Sequence, residues 1–279
     1  MPDRVDLHIH TNHSDGRQSP RDVVDRACQL GLKAIAITDH DSVSGYTEAA
    51  RYARGKDIEV IPGIELSSAL ADDDIHILGY LIRPDNKRLA ETVKRFRRIR
   101  SERGKKMVKR LARLGIEIDY EEVLAAADGA PLGRPHVAEV LAAHGVVDSY
   151  NQAFEKYLAL NGPVYIAKAK LSPAEAIDLI HHANGVAVMA HPKLTDRDEV
   201  IPELVAAGLD GLEIYHPSHT RAARKRYRQM AQRYNLICTG GSDSHNRSGR
   251  YGEIGEEQVP YKYLEQLKAR WARNEQTSI

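Results

Sequence analysis

Nine side chains of metal-binding types, His8, His10, Asp15, His40, Glu65, His76, His191, Asp243 and His245, stand at or near the ends of separate apolar runs in this 279-residue chain. The run Val5-Asp6-Leu7-His8-Ile9-His10 alternates as a strand does, and side chains two apart on a strand share a face, so both imidazoles converge on one point. Near the other terminus Leu236-Ile237-Cys238-Thr239-Gly240-Gly241-Ser242 leads into Asp243 and His245, again two apart. The two ends of the chain are therefore expected to meet at one metal centre. A donor set of imidazoles and carboxylates without thiolates suits borderline or harder divalent ions such as Mn, Fe or Zn. One ion takes about four to six ligands, so nine donors imply more than one ion.

Strand-like and helix-like stretches alternate in a way that can position these residues. After the first run, Ser19-Pro20-Arg21-Asp22 combines an N-cap, a proline at the first helical position and an acid at N3, and an amphipathic stretch follows to Gly31. Ala34–Thr38 reads as a second strand ending in Asp39-His40-Asp41, and a helix over 46–54 leads to a third strand, Glu59–Glu65. This order predicts parallel βαβ pairing. The run Ile75–Leu81 begins too soon after Glu65 for a parallel crossover. A hairpin is expected instead, which places Glu65 and His76 on one rim.

A detour follows over 85–162, between barrel segments 1–84 and 163–279. Its first part, 87–115, holds thirteen Lys/Arg against Glu91 and Glu102, with apolar residues at helical spacing. Shorter helical patterns follow over 120–127, 135–144 and 148–160, so the detour reads as an inserted all-helical domain that caps the substrate. The capping box Ser172-Pro173-Ala174-Glu175 then opens a helix before Gly185–Ala190, which ends at His191. Gly211–Tyr215 ends at His216, and a basic helix over 220–234 precedes the last strand. Seven strands, nearly all ending in a candidate ligand, make an α/β fold of the (β/α) barrel type, in which functional residues sit at the C-terminal ends of the strands.

A chain 42% hydrophobic can bury a large core, and a formal net charge of +1 gives no global attraction to polyanions. Cys28 and Cys238 make neither a disulfide framework nor a thiolate metal site, which fits a reducing, cytoplasmic setting. No apolar segment is long enough to span a bilayer, and the polar start of the chain does not read as a signal peptide.

The series Asp6-Leu7-His8-Ile9-His10, Thr38-Asp39-His40-Asp41, Gly63-Ile64-Glu65, Ile75-His76-Ile77-Leu78-Gly79, Ala190-His191-Pro192 and Gly241-Ser242-Asp243-Ser244-His245 resembles the polymerase and histidinol phosphatase (PHP) family of metal-dependent phosphoesterases over nearly the whole chain. The resemblance implies a distorted seven-stranded (β/α) barrel with two to three divalent ions, manganese foremost and zinc or iron as substitutes. His8, His10, Glu65 and Asp243 would hold the first ion. Glu65, as the catalytic bridge, would share a second with His76 and His191, and Asp15, His40 and His245 would hold the third. Paired divalent ions suit phosphoester hydrolysis without a Ser or Cys nucleophile, because they activate water and neutralise charge on the leaving oxygen. The layout is similar to the subgroup that removes the 3′-phosphate from nucleoside 3′,5′-bisphosphates and trims short RNA from the 5′ end. The expected partner is thus a small phosphorylated nucleotide or short oligonucleotide, with no membrane and no obligate protein partner. Rival readings are a histidinol-phosphate phosphatase, which shares barrel and metals, and a non-catalytic, metal-stabilised module serving a polymerase.

Other residues carry weaker expectations. Asp39 and Asp41 are read as acceptors that orient ligand imidazoles. His13 reads as a solvated loop residue, with a substrate contact as its alternative, and His144, His181 and His182 as helix-end structural residues. His216 and His219 sit on the active rim, His219 either contacting a phosphate or leaving group or capping its loop. Gly133-Arg134-Pro135-His136 opens a helix where N–H groups and a guanidinium favour an anion. The resemblance adds that basic residues there grip a second phosphate, with Arg134 and His136 as substrate contacts and Lys168 as a weaker candidate. The basic helix from Lys87 is read as a solvated face, with guidance of a polyanion as its alternative.

Overall fold

The computed structural model describes residues 3–70, 73–167, 171–246 and 252–277. Lys168 lies outside them. In chain order the strands are β1 (Arg4–Ile9), β2 (Ala34–Ile37), β3 (Glu59–Leu70), β4 (Asp73–Tyr80), β5 (Val186–Met189), β6 (Gly211–Tyr215), β7 (Ile237–Gly240) and β8 (Val259–Pro260). The helices are α1 (Pro20–Gln29), α2 (Ser44–Tyr52), α3 (Lys87–Arg113), α4 (Tyr120–Ala127), α5 (Arg134–Ala143), α6 (Tyr150–Ala153), α7 (Pro173–His182), α8 (Pro192–Thr195), α9 (Ile201–Ala206), α10 (Arg221–Arg233) and α11 (Lys262–Thr277). The chain divides into two compact units, Met1–Glu91 with Lys170–Ile279, and Thr92–Ala169. These divisions fall several residues later than the cuts at 85 and 162 read from sequence, because α3 runs unbroken through the first of them.

In the first unit the strands form one sheet in the order β7-β6-β5-β4-β3-β2-β1-β8. Pairing is parallel from β1 to β3 and from β5 to β7, and β4 runs antiparallel to both of its neighbours. The hairpin is thus present, but β3 does not stop at Glu65. It continues to Leu70, so that Glu65 faces Leu78 and Ser67 faces His76. The polar Ser67-Ser68 pair hid this extension from an apolar-run reading. Beyond β7, Ser244 bridges Ile9 in parallel and its carbonyl accepts from His10 N–H at 2.9 Å, which brings the far edge of the sheet back to β1. Eight strands are found among the described residues, not seven. The eighth, β8, pairs antiparallel to β1 over two residues, too short for its sequence to show a strand period.

The capping boxes at Ser19 and Ser172 both form, and each such cap contributes on the order of 1 kcal/mol to its helix. One apolar cluster joins Val5, Leu7, Tyr80, Val186 and Val188 to Leu264 and Leu267 of α11, and Tyr80 Oη donates to Leu7 O at 2.9 Å. Another packs Ile9, Ile35 and Ile37 against Val23, Val24 and Ala27 of α1 and Ala49 of α2. Gly241 is required by close approach: a Cβ there would lie 2.3 Å from His8 N.

The second unit is helical, with a core of Met107, Leu111, Val123, Leu132, Val137, Leu141, Leu158 and Val164. Gly104 lets Leu132 pack on α3, since a Cβ would meet Leu132 Cδ2 at 2.5 Å. The helix read over 148–160 is divided into α6 and a π-helical turn, Phe154–Leu158.

Candidate metal centre

All nine donor residues lie in the first unit, gathered around Glu65. β1 and the residue after it deliver His8 and His10, the following turn Asp15, the segment after β2 His40, and the β3–β4 hairpin Glu65 and His76. The segments after β5 and β7 deliver His191, Asp243 and His245. Three sets of donors lie within 4.8 Å of one another: His8, His10, Glu65 and Asp243; His10, Asp15, His40 and His245; and His40, Glu65 and His76. His191 adds its Nε2 at 3.1 Å from Glu65 Oε1.

The first set tests whether these residues fit an ion. His8 Nε2 lies 3.1 Å from His10 Nε2, 3.4 Å from Glu65 Oε2 and 3.3 Å from Asp243 Oδ1. His10 Nε2 lies 3.1 Å from Glu65 Oε2 and 3.2 Å from Asp243 Oδ1. A tetrahedral ion about 2.0–2.1 Å from each donor separates its donors by about 3.3–3.4 Å, so the four atoms already stand near the corners such an ion needs. Around them His10 Nδ1, His40 Nδ1 and Glu65 Oε2 are buried without a hydrogen-bond partner among the described residues, an arrangement costly for a site meant to stay dry and ion-free. The donor set fits divalent cations.

Electrostatics agree. Burial alone would raise the carboxyl groups of Asp15, Glu65 and Asp243, but the surrounding imidazoles more than reverse it and hold all three well below the usual range. Burial likewise pushes His10 down, and Asp243 and Glu65 overcome it, leaving His10 at about 10. His8 is raised in the same sense by Glu213, Asp243 and Glu65. Burial dominates at His40 and drives it to about 3. The pocket is one of ionised carboxylates that demand positive charge, met by protons or by metal.

Residues behind the donors fix their orientation. A carboxylate only accepts, so His8 Nδ1 donates to Glu213 Oε1 at 3.0 Å, which directs Nε2 at the cluster. Glu213 Oε2 accepts from His191 N–H at 2.8 Å. His216 Nδ1 accepts from Ser218 N–H at 3.1 Å, so its proton sits on Nε2 and points to Asp243 Oδ2 at 3.3 Å. His245 Nδ1 donates to Asp243 O at 2.8 Å, which leaves Nε2 facing Asp15 Oδ1 at 3.2 Å. Asp6 clamps the two chain ends, accepting from Ser242 N–H at 2.9 Å and Gly255 N–H at 2.8 Å. His191 and Asp243 have φ of 29° and 50°, left-handed values that non-glycine residues hold only where their surroundings impose them.

Glu213 escaped the sequence reading, although an acid inside the apolar strand Gly211–Tyr215 was a usable signal. The orienting role assigned to Asp39 is corrected. Asp39 accepts from Thr11 N–H, Thr11 Oγ1 and Ser14 Oγ at 2.6–2.7 Å and so shapes the turn that carries Asp15, while Asp41 accepts from Ser67 N–H at 2.9 Å. His219 is buried, donates from Nδ1 to Ile214 O at 2.9 Å and receives Lys193 N–H at Nε2 at 3.4 Å; the geometry gives it the loop-holding role rather than a substrate contact. His13 is tied to Ser44 and Glu48 rather than solvated. His181 bonds Asp210 at 2.8 Å, and His144 and His182 lie beside Glu122 and Asp178 as structural residues.

In the second unit Arg134 Nη1 donates to Leu158 O at 3.0 Å, and its guanidinium lies over the rings of Phe154 and Tyr165. His136 is buried, and its Nδ1 accepts from Gly133 N–H at 3.1 Å, closing the start of α5.

A partly antiparallel α/β barrel with clustered imidazoles and carboxylates on one rim defines a metal-dependent hydrolase. Residues 6–268 match the PHP domain, and the chain belongs to that family. It is 33% identical over 247 residues to a 3′,5′-nucleoside bisphosphate phosphatase of Chromobacterium violaceum, covering 86% of this chain and 87% of the relative. It is 31% identical to a phosphoribosyl 1,2-cyclic phosphate 1,2-diphosphodiesterase of Eggerthella lenta, covering 90% and 97%, and 31% identical to a 5′-3′ exoribonuclease of Haemophilus influenzae, covering 92% and 94%. A solved structure from Bifidobacterium adolescentis, provisionally described as a metal-dependent phosphoesterase, superposes with a TM-score of 0.88 at 32% identity, covering 97% of this chain and 98% of that one. The protein is a phosphoric ester hydrolase.

Proposed function

We infer that the chain removes the 3′-phosphate from nucleoside 3′,5′-bisphosphates and trims short RNA from its 5′ end, using two to three divalent ions with manganese foremost. The observation that carries the hydrolytic reading is the position of Glu65, whose two oxygens face His8, His10 and His40 on one side and His76 and His191 on the other. Ions bound there would supply water activation and neutralisation of the leaving oxygen. His8, His10, Glu65 and Asp243 would hold the first, Glu65, His76 and His191 the second, and Asp15, His40 and His245 the third, while Glu213 and His216 keep donors aimed. The bisphosphate is favoured by the relatives named for bisphosphate and RNA substrates and by Arg134, whose N–H groups not used on Leu158 suit a phosphate. No helix among the described residues is long and apolar enough to cross a membrane, and a cytoplasmic site of action fits such substrates.

A second reading, opening of a ribose cyclic phosphodiester, is supported by the relative from Eggerthella lenta. The test is a panel assayed with manganese-loaded full chain: adenosine 3′,5′-bisphosphate, a 5′-phosphorylated RNA trimer, ribose 1,2-cyclic phosphate 5-phosphate and histidinol phosphate. The highest kcat/KM should fall on the bisphosphate. A clear preference for the cyclic diester or for histidinol phosphate would overturn the substrate assignment.

A further inference from the structure

Within the second unit, α3 carries a continuous basic stripe from Lys94 to Arg113. At 3.6 residues per turn, Lys94, Arg95, Arg98, Lys105, Lys106, Lys109 and Arg113 fall within an arc of about 120°, opposite the buried Phe96, Met107 and Leu111. All seven are exposed. Glu102 is the one acid in the arc, and Lys105 holds it at 3.0 Å. Among the described residues no carboxylate lies in salt-bridge range of the other six. The basic residues around the stripe are spent differently: Arg103 donates to Ile166 O at 2.7 Å, and Arg110 donates to Tyr165 O.

An ordinary solvated helix face mixes signs, because like charges four apart weaken the helix. Here Lys94 and Arg98, Lys105 and Lys109, and Lys109 and Arg113 are such pairs. α10 is also rich in Arg and Lys, and two of its six cations, Arg224 and Arg226, are paired with Glu257 and Asp198. The stripe is about 28 Å long at 1.5 Å per residue, a length that spans several phosphates of an extended strand. Binding to an anionic membrane calls for large apolar side chains beside the cations, and the arc holds none.

We propose that this stripe binds the phosphate backbone of single-stranded RNA, so that the protein holds polymer substrates through residues other than the metal donors. The choice of RNA as the polyanion rests on the proposed nucleotide phosphoesterase reading; the charge pattern does not.

The test measures binding of a 3′-labelled, 5′-phosphorylated RNA of twenty nucleotides to the full chain in EDTA, by fluorescence anisotropy over a range of salt. Affinity should fall steeply with salt. The folded triple variant Arg98→Gln/Lys105→Gln/Lys109→Gln should bind about tenfold or more weakly at low salt, with the log–log salt slope reduced by about 2, as loss of three phosphate contacts to a single strand requires. The control Arg221→Gln/Lys225→Gln/Arg233→Gln on α10 should stay within about twofold of wild type, and metal-loaded stripe variant should turn over adenosine 3′,5′-bisphosphate at the wild-type rate. Unchanged affinity in the stripe variant, or equal loss in both triple variants, would overturn the proposal. Stripe-dependent RNA binding in a protein that hydrolyses none of the panel nucleotides would sink the proposed function and leave this proposal standing.

Discussion

Nδ1 of His8 lies 3.0 Å from Oε1 of Glu213, a fully buried carboxylate on β6 whose other oxygen takes the N–H of His191. One side chain thereby sets the tautomer of a donor from the first strand and the backbone position of a donor from the fifth. Burial would raise the Glu213 carboxyl, but His8 and its neighbours hold it lowered, so it is ionised where it acts. Replacing it with glutamine keeps the volume but turns one acceptor into a donor that faces another donor. Glu213→Gln should fold and bind manganese about 10- to 100-fold more weakly, the usual effect of removing a group that orients a ligand imidazole. Calorimetric titration checks this, and wild-type metal affinity would exclude the orienting role.

Glu65 is the donor common to most of the cluster, so its loss should be felt at more than one ion. Metal analysis of wild-type protein reconstituted with manganese or zinc should give between two and three ions per chain, and a value of one or less would reject a multinuclear centre. Folded Glu65→Gln should hold fewer ions and lose turnover by orders of magnitude. Near-wild-type rates in the metal-loaded variant would remove Glu65 from the mechanism.

Most of the donors were legible because they stand at or just beyond a strand end, where local period and residue type suffice, although Glu65 and His76 lie within β3 and β4. His8 and His10 share a face by strand geometry alone, and the short gap from Glu65 to His76 forces a hairpin whose diagonal contact is the 2.9 Å approach of His76 Nδ1 to Glu65 Oε1. What stayed hidden depends on contacts between distant segments. Glu213 meets His8 across 205 positions, and Asp6 meets Gly255 across 249, and nothing in either local run announces the partner. His219 shows the opposite failure: its place on the rim was right, but whether a rim histidine faces outward or is used up by backbone groups is decided by the fold of its loop. β8 was missed because its two residues are strand only by pairing with Arg4 and Val5.

Away from the donors, Asp210 ties three elements of the first unit together. It accepts from His181 Nε2 at 2.8 Å, Ala187 N–H at 2.9 Å, Asn274 at 3.2 Å and Arg270 at 3.3 Å. Burial would raise its carboxyl, but His181 and the other donors hold it below the ordinary value. A depressed folded-state value means that the stabilisation is complete above the unfolded carboxyl's pKa, about 3.9, and fades as pH falls through the folded one. Asp210→Asn should therefore cost about 1–3 kcal/mol at neutral pH. The gap from wild type should be constant above about pH 5 and shrink below about pH 4. Denaturant midpoints measured from pH 3 to 7 check the sign, and a gap that widens in acid would contradict it.

The proposed preference for two phosphates should turn on Arg134. Its guanidinium is braced by Leu158 O and by the rings of Phe154 and Tyr165, which limits the entropy lost when a planar fork takes a phosphate. If the side chain grips a second phosphate, losing that charge-assisted contact should cost about 1.5–3 kcal/mol, or roughly ten- to a hundredfold in kcat/KM, on substrates that carry one. A monoester such as p-nitrophenyl phosphate offers no second phosphate and should be nearly indifferent. Arg134→Ala also removes the brace on Leu158, so the ratio between the two substrates matters more than either rate. Arg134→Lys keeps the charge but not the fork, and should recover only part of the bisphosphate rate. Equal losses on adenosine 3′,5′-bisphosphate and p-nitrophenyl phosphate in Arg134→Ala would assign the residue to the packing of the helical unit and leave the preference for two phosphates without a residue to carry it.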